Sequence, residues 1–182
     1  DDISRKRALT LYRMISYNES YVREVNNGEA IENENTEKKD EDLVKIVQPL
    51  VDWYRENKRD LPWRHNPDAY RVWISEIMLQ QTRVEAVKGY YDRFLKALPT
   101  VKDLAEAEED KLLKLWEGLG YYNRVRNMQK AAQQIMVDHE GIFPDTYEEI
   151  LQLKGIGNYT AGAISAFAYG IPKPAVMVTY SG

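Results

Sequence analysis

From residue 43 onward, apolar residues recur with the periodicity of an α-helix. Six apolar residues fall at i, i+3, i+4, i+7, i+8 and i+11, which is one face of an amphipathic helix. These residues are Leu43, Ile46, Val47, Leu50, Val51 and Tyr54. The pattern predicts further helices over 69–81, 83–97, 101–106, 108–117, 122–138, about 146–153 and 159–169. Alternation with period two is nowhere sustained, so the sequence predicts an all-α protein of seven or eight helices.

The pattern divides the chain into four segments. Residues 1–25 are predicted to be an N-terminal extension that could hold a short helix. Residues 26–41 (NNGEAIENENTEKKDE) are polar and acidic, and such a segment cannot offset its ordering entropy by burial, so a disordered linker is expected. Residues 42–176 form the predicted helical core, and residues 177–182 are an aberrant tail.

Charge and composition narrow the classes of function. The chain has 25 basic and 29 acidic residues, a net charge of −4. The stretch from Glu29 to Asp42 contributes −5, which leaves the remainder at +1, and such a domain can bind nucleic acid where its positive groups share one face. The chain has no cysteine, which excludes disulfides and thiolate metal ligands from it. No apolar run approaches the ~20 residues of a membrane span and no signal peptide is recognisable, so we expect a cytoplasmic protein.

The segment LKGIGNYTAGAISAF, residues 153–167, predicts a helix, a Gly-x-Gly turn and a second helix. Gly155 and Gly157 permit a close approach of the backbone to a partner, and the second helix offers free N–H groups to an anion. The segment resembles a helix–hairpin–helix at about 146–169, a module that holds DNA phosphates without reading sequence and often binds a monovalent cation. Lys154 stands where such modules typically carry proline, and its charge could meet phosphate. A plain αα-hairpin is the alternative.

Several motifs in the core occur together and in register. LPWRHNPDAYRVWISEIMLQQTRVEAV covers residues 61–87, and GLGYYNRVRN covers residues 118–127. Together with the hairpin they resemble the signature of the adenine DNA glycosylases (MutY type) of the helix–hairpin–helix DNA glycosylase superfamily. The resemblance covers roughly residues 43–176. It implies the six-helix-barrel part of that fold, incomplete at its C-terminal end, and a truncated N-terminal catalytic core.

The resemblance implies a catalytic role for Glu76. Removing adenine needs a proton on the leaving base, because a neutral purine is a poor leaving group. Glu76 lies in an apolar helix near Trp73 and Ile77, where desolvation favours the protonated carboxyl group. In the family this residue is the general acid on the adenine ring and then activates water. The alternative for an isolated glutamate is an ordinary surface position.

Other residues resemble those with which family members reach a base flipped out of the duplex. Gln81 and Tyr121 resemble side chains that enter the base stack. Leu79 and Thr82 resemble residues near the partner 8-oxoguanine, and Arg64 resembles a residue that reaches into the base pocket. The alternatives are core packing for Leu79 and Tyr121. For Gln81 and Thr82 the alternative is a surface or capping role, and for Arg64 it is a solvated charge in a loop.

Tyr159 distinguishes two related classes of enzyme. Endonuclease III-like enzymes carry at this place a lysine that forms a Schiff base and cuts the strand. The tyrosine favours a glycosylase without an efficient lyase step, with Tyr159 assisting in the pocket. Arg124, Arg126 and Lys130 lie on one predicted helix and are expected to meet DNA phosphates, although an exposed helix face explains them almost as well.

The resemblance also implies partners and cofactors. The expected partner is double-stranded DNA with an A:8-oxoguanine or A:G mismatch, bound during base excision repair by a monomer associated with the bacterial nucleoid and with no membrane. Family members carry a [4Fe–4S] cluster on four cysteines, which are absent from this chain. No metal ligands are predicted, since His65 and His139 match no ligand spacing.

The chain departs from the family at residue 177. There the family has an aspartate that stabilises the positive sugar left when the base departs. Met177 takes its place and carries no charge, so we expect this chain to be inactive. The competing functions are a non-catalytic helix–hairpin–helix DNA-binding module, an endonuclease III-like glycosylase and a helical protein-interaction domain.

We predict a one-base deletion after the codon for Val176. A gene for Asp-Gly-Asn-Val-Leu-Arg-Val can be spelled GAT GGT AAC GTA CTC CGG G, and loss of its first base gives ATG GTA ACG TAC TCC GGG. That codes for Met-Val-Thr-Tyr-Ser-Gly, which is the sequence of residues 177–182. Sequencing the locus should reveal Asp-Gly-Asn-Val one base out of register, and its absence from that register would disprove the deletion.

Overall fold

The structure is a computed structural model that describes residues 49, 52–53 and 55–171. The extension over 1–25, the linker over 26–41 and the tail over 177–182 lie outside these residues and stay predictions. The chain divides into two compact units, Asp1–Asp60 and Leu61–Gly182. In the first unit residues 49, 52–53 and 55–57 are helical, so the described part of the helix predicted from residue 43 continues to Asn57, beyond its predicted end at residue 54. Residues 43–48 of that helix lie outside the described residues.

The described part of the second unit consists of short helices joined by tight turns. It begins with a 3-10 helix, Pro62–Arg64. The α-helices are α1 (Ala69–Leu79), α2 (Val84–Ala97), α3 (Val101–Glu106), α4 (Glu109–Trp116), α5 (Asn123–Asp138), α6 (Tyr147–Gln152) and α7 (Asn158–Tyr169). The described residues contain no strand, which confirms the all-α prediction, and the predicted bounds of these helices hold to within two residues.

None of the helices within the described ranges is long and apolar enough to cross a membrane.

Capping side chains fix where several helices begin. Asp68 accepts a hydrogen bond from the backbone N–H of Arg71 at 2.8 Å and starts α1. Thr100 and Asp103 form a reciprocal capping box at α3. Such caps satisfy backbone N–H groups that have no partner inside the helix, and each contributes about 1 kcal/mol.

Asp145 and Glu148 have the spacing of a capping box in the sequence, which predicts Asp145 as the N-cap of α6. This prediction is wrong by one residue. Thr146 is the N-cap of α6, and its hydroxyl accepts from the N–H of Glu149 at 3.3 Å. Two overlapping boxes exist in this stretch, and only the threonine box starts the helix that the structure contains. The shift leaves the predicted helix and hairpin in place.

Helix α1 lies at the centre of the second unit. Nine of its eleven residues are buried, and it packs most extensively against α7 and also against α2. Eight residues of α7 are buried, including the small residues Ala161, Gly162 and Ala163. Small side chains let two helix backbones approach closely. A second contact joins α3 to α5.

Aromatic and phenolic groups complete the core around α1 and α2. The rings of Phe94 and Trp116 meet edge to face at 6.0 Å, an arrangement worth about 0.5–1.5 kcal/mol beyond area burial. The Tyr70 hydroxyl donates to the carbonyl of Leu98 at 2.9 Å, and burial raises the pKa of Tyr70 above its ordinary range. The Tyr70 hydroxyl and the Leu98 carbonyl are therefore buried as a hydrogen-bonded pair, as a stable core requires.

Candidate functional site

Glu76 is buried within the central helix. It is 5% exposed and lies in α1 between the fully buried Ser75 and the buried Ile77. Buried carboxyl groups are costly and occur disproportionately at functional sites. The structure thus excludes the alternative in which Glu76 is an ordinary surface residue.

Tyr159 lies on the helix that packs against α1. It is the second residue of α7 and is half-buried at the start of that helix. Because α1 packs more extensively against α7 than against any other helix of the described residues, the elements that carry Glu76 and Tyr159 are neighbours. A site that uses one residue from each of these helices requires them to be adjacent.

The predicted hairpin is formed by α6, the Gly-x-Gly turn and α7. Gly155 has a φ of +79°, and a Cβ atom on it would lie 2.8 Å from Cβ of Asn127. Gly157 has a φ of −100°, and a Cβ atom on it would have nothing within 4 Å. The backbone N–H of Lys154 donates to Oε1 of Gln134 at 2.7 Å, while the lysine itself is exposed. The fold therefore requires glycine at 155 and leaves 157 open.

Arg124 forms the most extensive polar contact of the site. Its Nη1 donates to the carbonyls of Ile77 at 2.9 Å and Gln80 at 2.6 Å, at the C-terminal end of α1. Its Nη2 donates to the carbonyls of Leu119 at 2.9 Å and Gly120 at 3.2 Å. One guanidinium thus joins the end of α1 to the loop that precedes α5.

The expectation that Arg124 and Arg126 meet DNA phosphates does not fit their contacts. The guanidinium of Arg124 is half-buried and turned toward main-chain carbonyls, and burial lowers its pKa although Tyr121 opposes the shift. Nε of Arg126 pairs with Oε1 of Glu109 at 2.9 Å on the surface. Lys130 is exposed, as an outward-facing charge should be. The sequence holds no signal for the Arg124 contacts, because two of the carbonyls lie 44 and 47 residues away.

Gln81 and Tyr121 project from the two segments that Arg124 joins. Gln81 is exposed with a φ of +57°, and Tyr121 is 68% exposed with a φ of +48°. Positive φ is uncommon for residues other than glycine and costs of order 1–3 kcal/mol, so the surrounding structure must impose it. The guanidinium of Arg124 also lies 5.7 Å from the Tyr121 ring. An exposed Tyr121 excludes the alternative of core packing.

The other predicted DNA-binding residues are half-buried near the ends of helices. Leu79 is the last residue of α1, and Thr82 donates through Oγ1 to the carbonyl of Gln80 at 3.3 Å. Arg64 ends the 3-10 helix beside the buried Trp63, so it is not a fully solvated loop charge.

A small cavity lies between the end of α1, helix α5 and the hairpin turn. Its volume is about 130 Å³, and its walls include Trp73, Arg124, Asn127 and Lys154. Neither Glu76 nor Tyr159 lines it, so this cavity is separate from the site expected to receive the base.

The residues of this chain do not fit an iron–sulfur cluster. The chain has no cysteine to supply thiolate ligands. Within the described residues no group of three or more His, Cys, Asp or Glu side chains could hold a metal ion.

Known proteins similar to this chain are DNA repair proteins. The profile of the HhH-GPD superfamily of base excision DNA repair proteins matches residues 74–178. The adenine DNA glycosylase of Buchnera aphidicola subsp. Acyrthosiphon pisum (strain APS) is 50% identical over 128 residues, which cover 70% of this chain and 37% of that protein. The chain therefore spans little more than a third of this relative.

Solved structures share the fold. A thermostable thymine-DNA glycosylase is 31% identical, with a TM-score of 0.61 over 65% of this chain and 55% of that one. A non-covalent endonuclease III–DNA complex is 20% identical, with a TM-score of 0.62 over 72% of this chain and 61% of that one, and this likeness concerns the fold alone.

The two turn glycines should respond differently to alanine. Gly155→Ala places a Cβ against Asn127 at a positive φ, so we expect a loss of about 1–3 kcal/mol of unfolding free energy. Gly157→Ala should leave that free energy within about 0.5 kcal/mol or raise it slightly. Denaturant unfolding followed by circular dichroism measures both changes. Equal losses at the two positions would contradict the hairpin geometry.

Proposed function

The chain belongs to the HhH-GPD superfamily of base excision DNA repair proteins, and we propose that it is the core segment of an adenine-specific DNA N-glycosylase. Its substrate is adenine mispaired with 8-oxoguanine or guanine in double-stranded DNA. The observation that carries the proposal is the burial of Glu76 in a central helix packed against the helix of Tyr159. The similarity to adenine DNA glycosylases supports the choice of base.

Glu76 acts as the general acid. A carboxyl group out of water is favoured in its protonated form and can deliver that proton to the adenine ring as the glycosidic bond breaks. The electron pair of that bond leaves with the base, and the carboxylate that remains activates the water that attacks the sugar. Tyr159, at the start of the neighbouring helix α7, assists in orienting the base.

A tyrosine at position 159 sets this chain apart from a lyase. A phenol cannot form the Schiff base through which a lysine nucleophile would cut the strand. The likeness to endonuclease III concerns the fold alone, and the tyrosine favours base release without strand cleavage.

The hairpin holds the DNA backbone. Gly157 leaves open space in front of the N-terminus of α7, whose N–H groups and dipole favour an anion. Gly155 keeps the turn against α5, and the exposed Lys154 adds a positive charge nearby. The carbonyls of the turn bind a monovalent cation. One copy of the chain binds each mismatch.

The loops at the end of α1 and before α5 reach into the duplex. Gln81 and Tyr121 are exposed and fill the gap that the flipped adenine leaves in the stack. Leu79 and Thr82 lie beside Gln81 and meet the partner base. Arg64 reaches the pocket of the flipped base.

Met177 makes this chain a poor catalyst. The positive sugar that forms as the base leaves needs a nearby negative charge, and methionine supplies none. The chain is then a DNA-binding module that retains the acid but lacks its electrostatic partner. That substitution is the specific feature that favours the non-catalytic alternative.

Restoring the reading frame tests the proposal. The protein with the aspartate and its following segment should release adenine from an A:8-oxoguanine duplex, whereas the 182-residue chain should bind the duplex without releasing it. Glu76→Gln in the restored protein should slow release by about 10²–10⁴-fold. Release is measured as alkali-sensitive strand breaks under single-turnover conditions.

One outcome of that experiment would refute the enzyme assignment, and another would refute only the role of Glu76. A restored protein that binds DNA but releases no base would identify a non-catalytic module. Unchanged release by Glu76→Gln would remove the acid from the mechanism. Covalent trapping with borohydride should fail, and efficient trapping would favour the lyase class.

The open position at 157 should matter for DNA rather than for folding. Gly157→Ala should weaken affinity for duplex DNA about tenfold, because the added methyl group lies where a phosphate approaches. Gly89→Ala is the matched control, since a Cβ there also has nothing within 4 Å but lies on α2. Fluorescence anisotropy titration measures both. If the two variants bound DNA with equal affinity, the hairpin would not be part of the DNA-binding surface.

A further inference from the structure

We propose that Arg124 is a positioning residue that holds Gln81 and Tyr121 ready to enter the duplex together, acting through the main chain of two loops rather than on DNA. The inference rests on the proposed function for the role of these two side chains. It adds a residue whose own contacts lie within the protein.

Arg124 donates hydrogen bonds to two loops, one at the end of α1 and one before α5. Nη1 donates to the carbonyls of Ile77 and Gln80 at 2.9 and 2.6 Å. These bonds are shorter than those that the two carbonyls accept from the Gln80 N–H at 3.4 Å and from the Thr82 hydroxyl at 3.3 Å. The carbonyls of Leu119 and Gly120 receive Nη2. The two nitrogens of one rigid planar group therefore fix the spacing of the segments.

Both inserted side chains directly adjoin these carbonyls. Gln81 follows Gln80, and Tyr121 follows Gly120, so each sits one peptide from a bond to Arg124. The two residues also share a positive φ, a conformation that the chain does not hold without support. The contact between the guanidinium and the Tyr121 ring adds an attraction that orients the ring itself.

Only an arginine matches this arrangement. Its guanidinium presents five N–H donors in a fixed fork, whereas a lysine ammonium is a point charge without that geometry. If Arg124 only attracted a phosphate, a lysine at this position would serve nearly as well. The inward bonds and the half-burial of Arg124 instead require the fork.

Hydrogen exchange on the free chain tests the positioning without DNA. Arg124→Met and Arg124→Lys should both speed amide exchange about tenfold in the peptides around 78–83 and 118–122, because bonds to a charged group are lost there. Arg126→Met is the matched control on the same helix, since it removes only the surface pair with Glu109 and should change neither peptide. Exchange in the hairpin around 153–158 should stay the same in all variants.

A fluorescent duplex tests the consequence of that positioning. 2-Aminopurine in place of the mispaired adenine brightens when it leaves the stack. At saturating protein the unmodified chain and Arg126→Met should give the same enhancement, and Arg124→Lys should give an enhancement about tenfold smaller although the protein stays bound.

The outcomes separate the inference from the function on which it rests. Unchanged exchange in both loop peptides of Arg124→Lys, or full enhancement by that variant, would overturn the positioning role while DNA binding stood. An unmodified chain that neither binds the duplex nor brightens the probe would overturn the proposed function, and with it any role in the duplex. Faster exchange with a lost enhancement in Arg124→Lys supports both.

Discussion

The contact between one guanidinium and the main chain of two loops sets the geometry on which the site depends. Arg124 reaches the last turn of α1 and the loop before α5 at the same time. Hydrogen bonds to a charged group contribute about 1.5–3 kcal/mol each. The helix that carries Glu76 is thereby joined to the loop that carries Tyr121, so one frame positions both residues.

Helix α5 supplies most of this frame. Besides Arg124, its Gln129 and Gln133 donate to the carbonyls of Ala107 and Ala105 at 2.6 and 3.2 Å. Its Gln134 accepts from the hairpin turn. Polar side chains on one helix thus hold the end of α1, the end of α3 and the hairpin in place. Their amide and guanidinium groups bond to backbone, which explains how loops without regular structure keep fixed positions.

The sequence predicts elements well where the cause is local and poorly where it is distant. Helical spacing and glycine turns lie within a few residues of each other, so the bounds of α1 to α7 follow closely. Overlapping capping boxes around Thr146 are equally local but ambiguous, and the prediction there misses by one residue. The flanking apolar residues anticipate the burial of Glu76. The inward turn of Arg124 depends on carbonyls more than 40 residues away and leaves no local pattern.

The proposed function requires that the buried Glu76 receive the extruded adenine, that Gln81 and Tyr121 enter the duplex, and that the hairpin hold the DNA backbone. A crystal structure of the chain with a duplex containing an A:8-oxoguanine pair tests that arrangement most directly. The account predicts Gln81 and Tyr121 within the base stack, a phosphate at the N-terminus of α7, and the extruded adenine against Glu76. A duplex bound to another face, with the adenine still stacked and Glu76 covered only by protein, would contradict it.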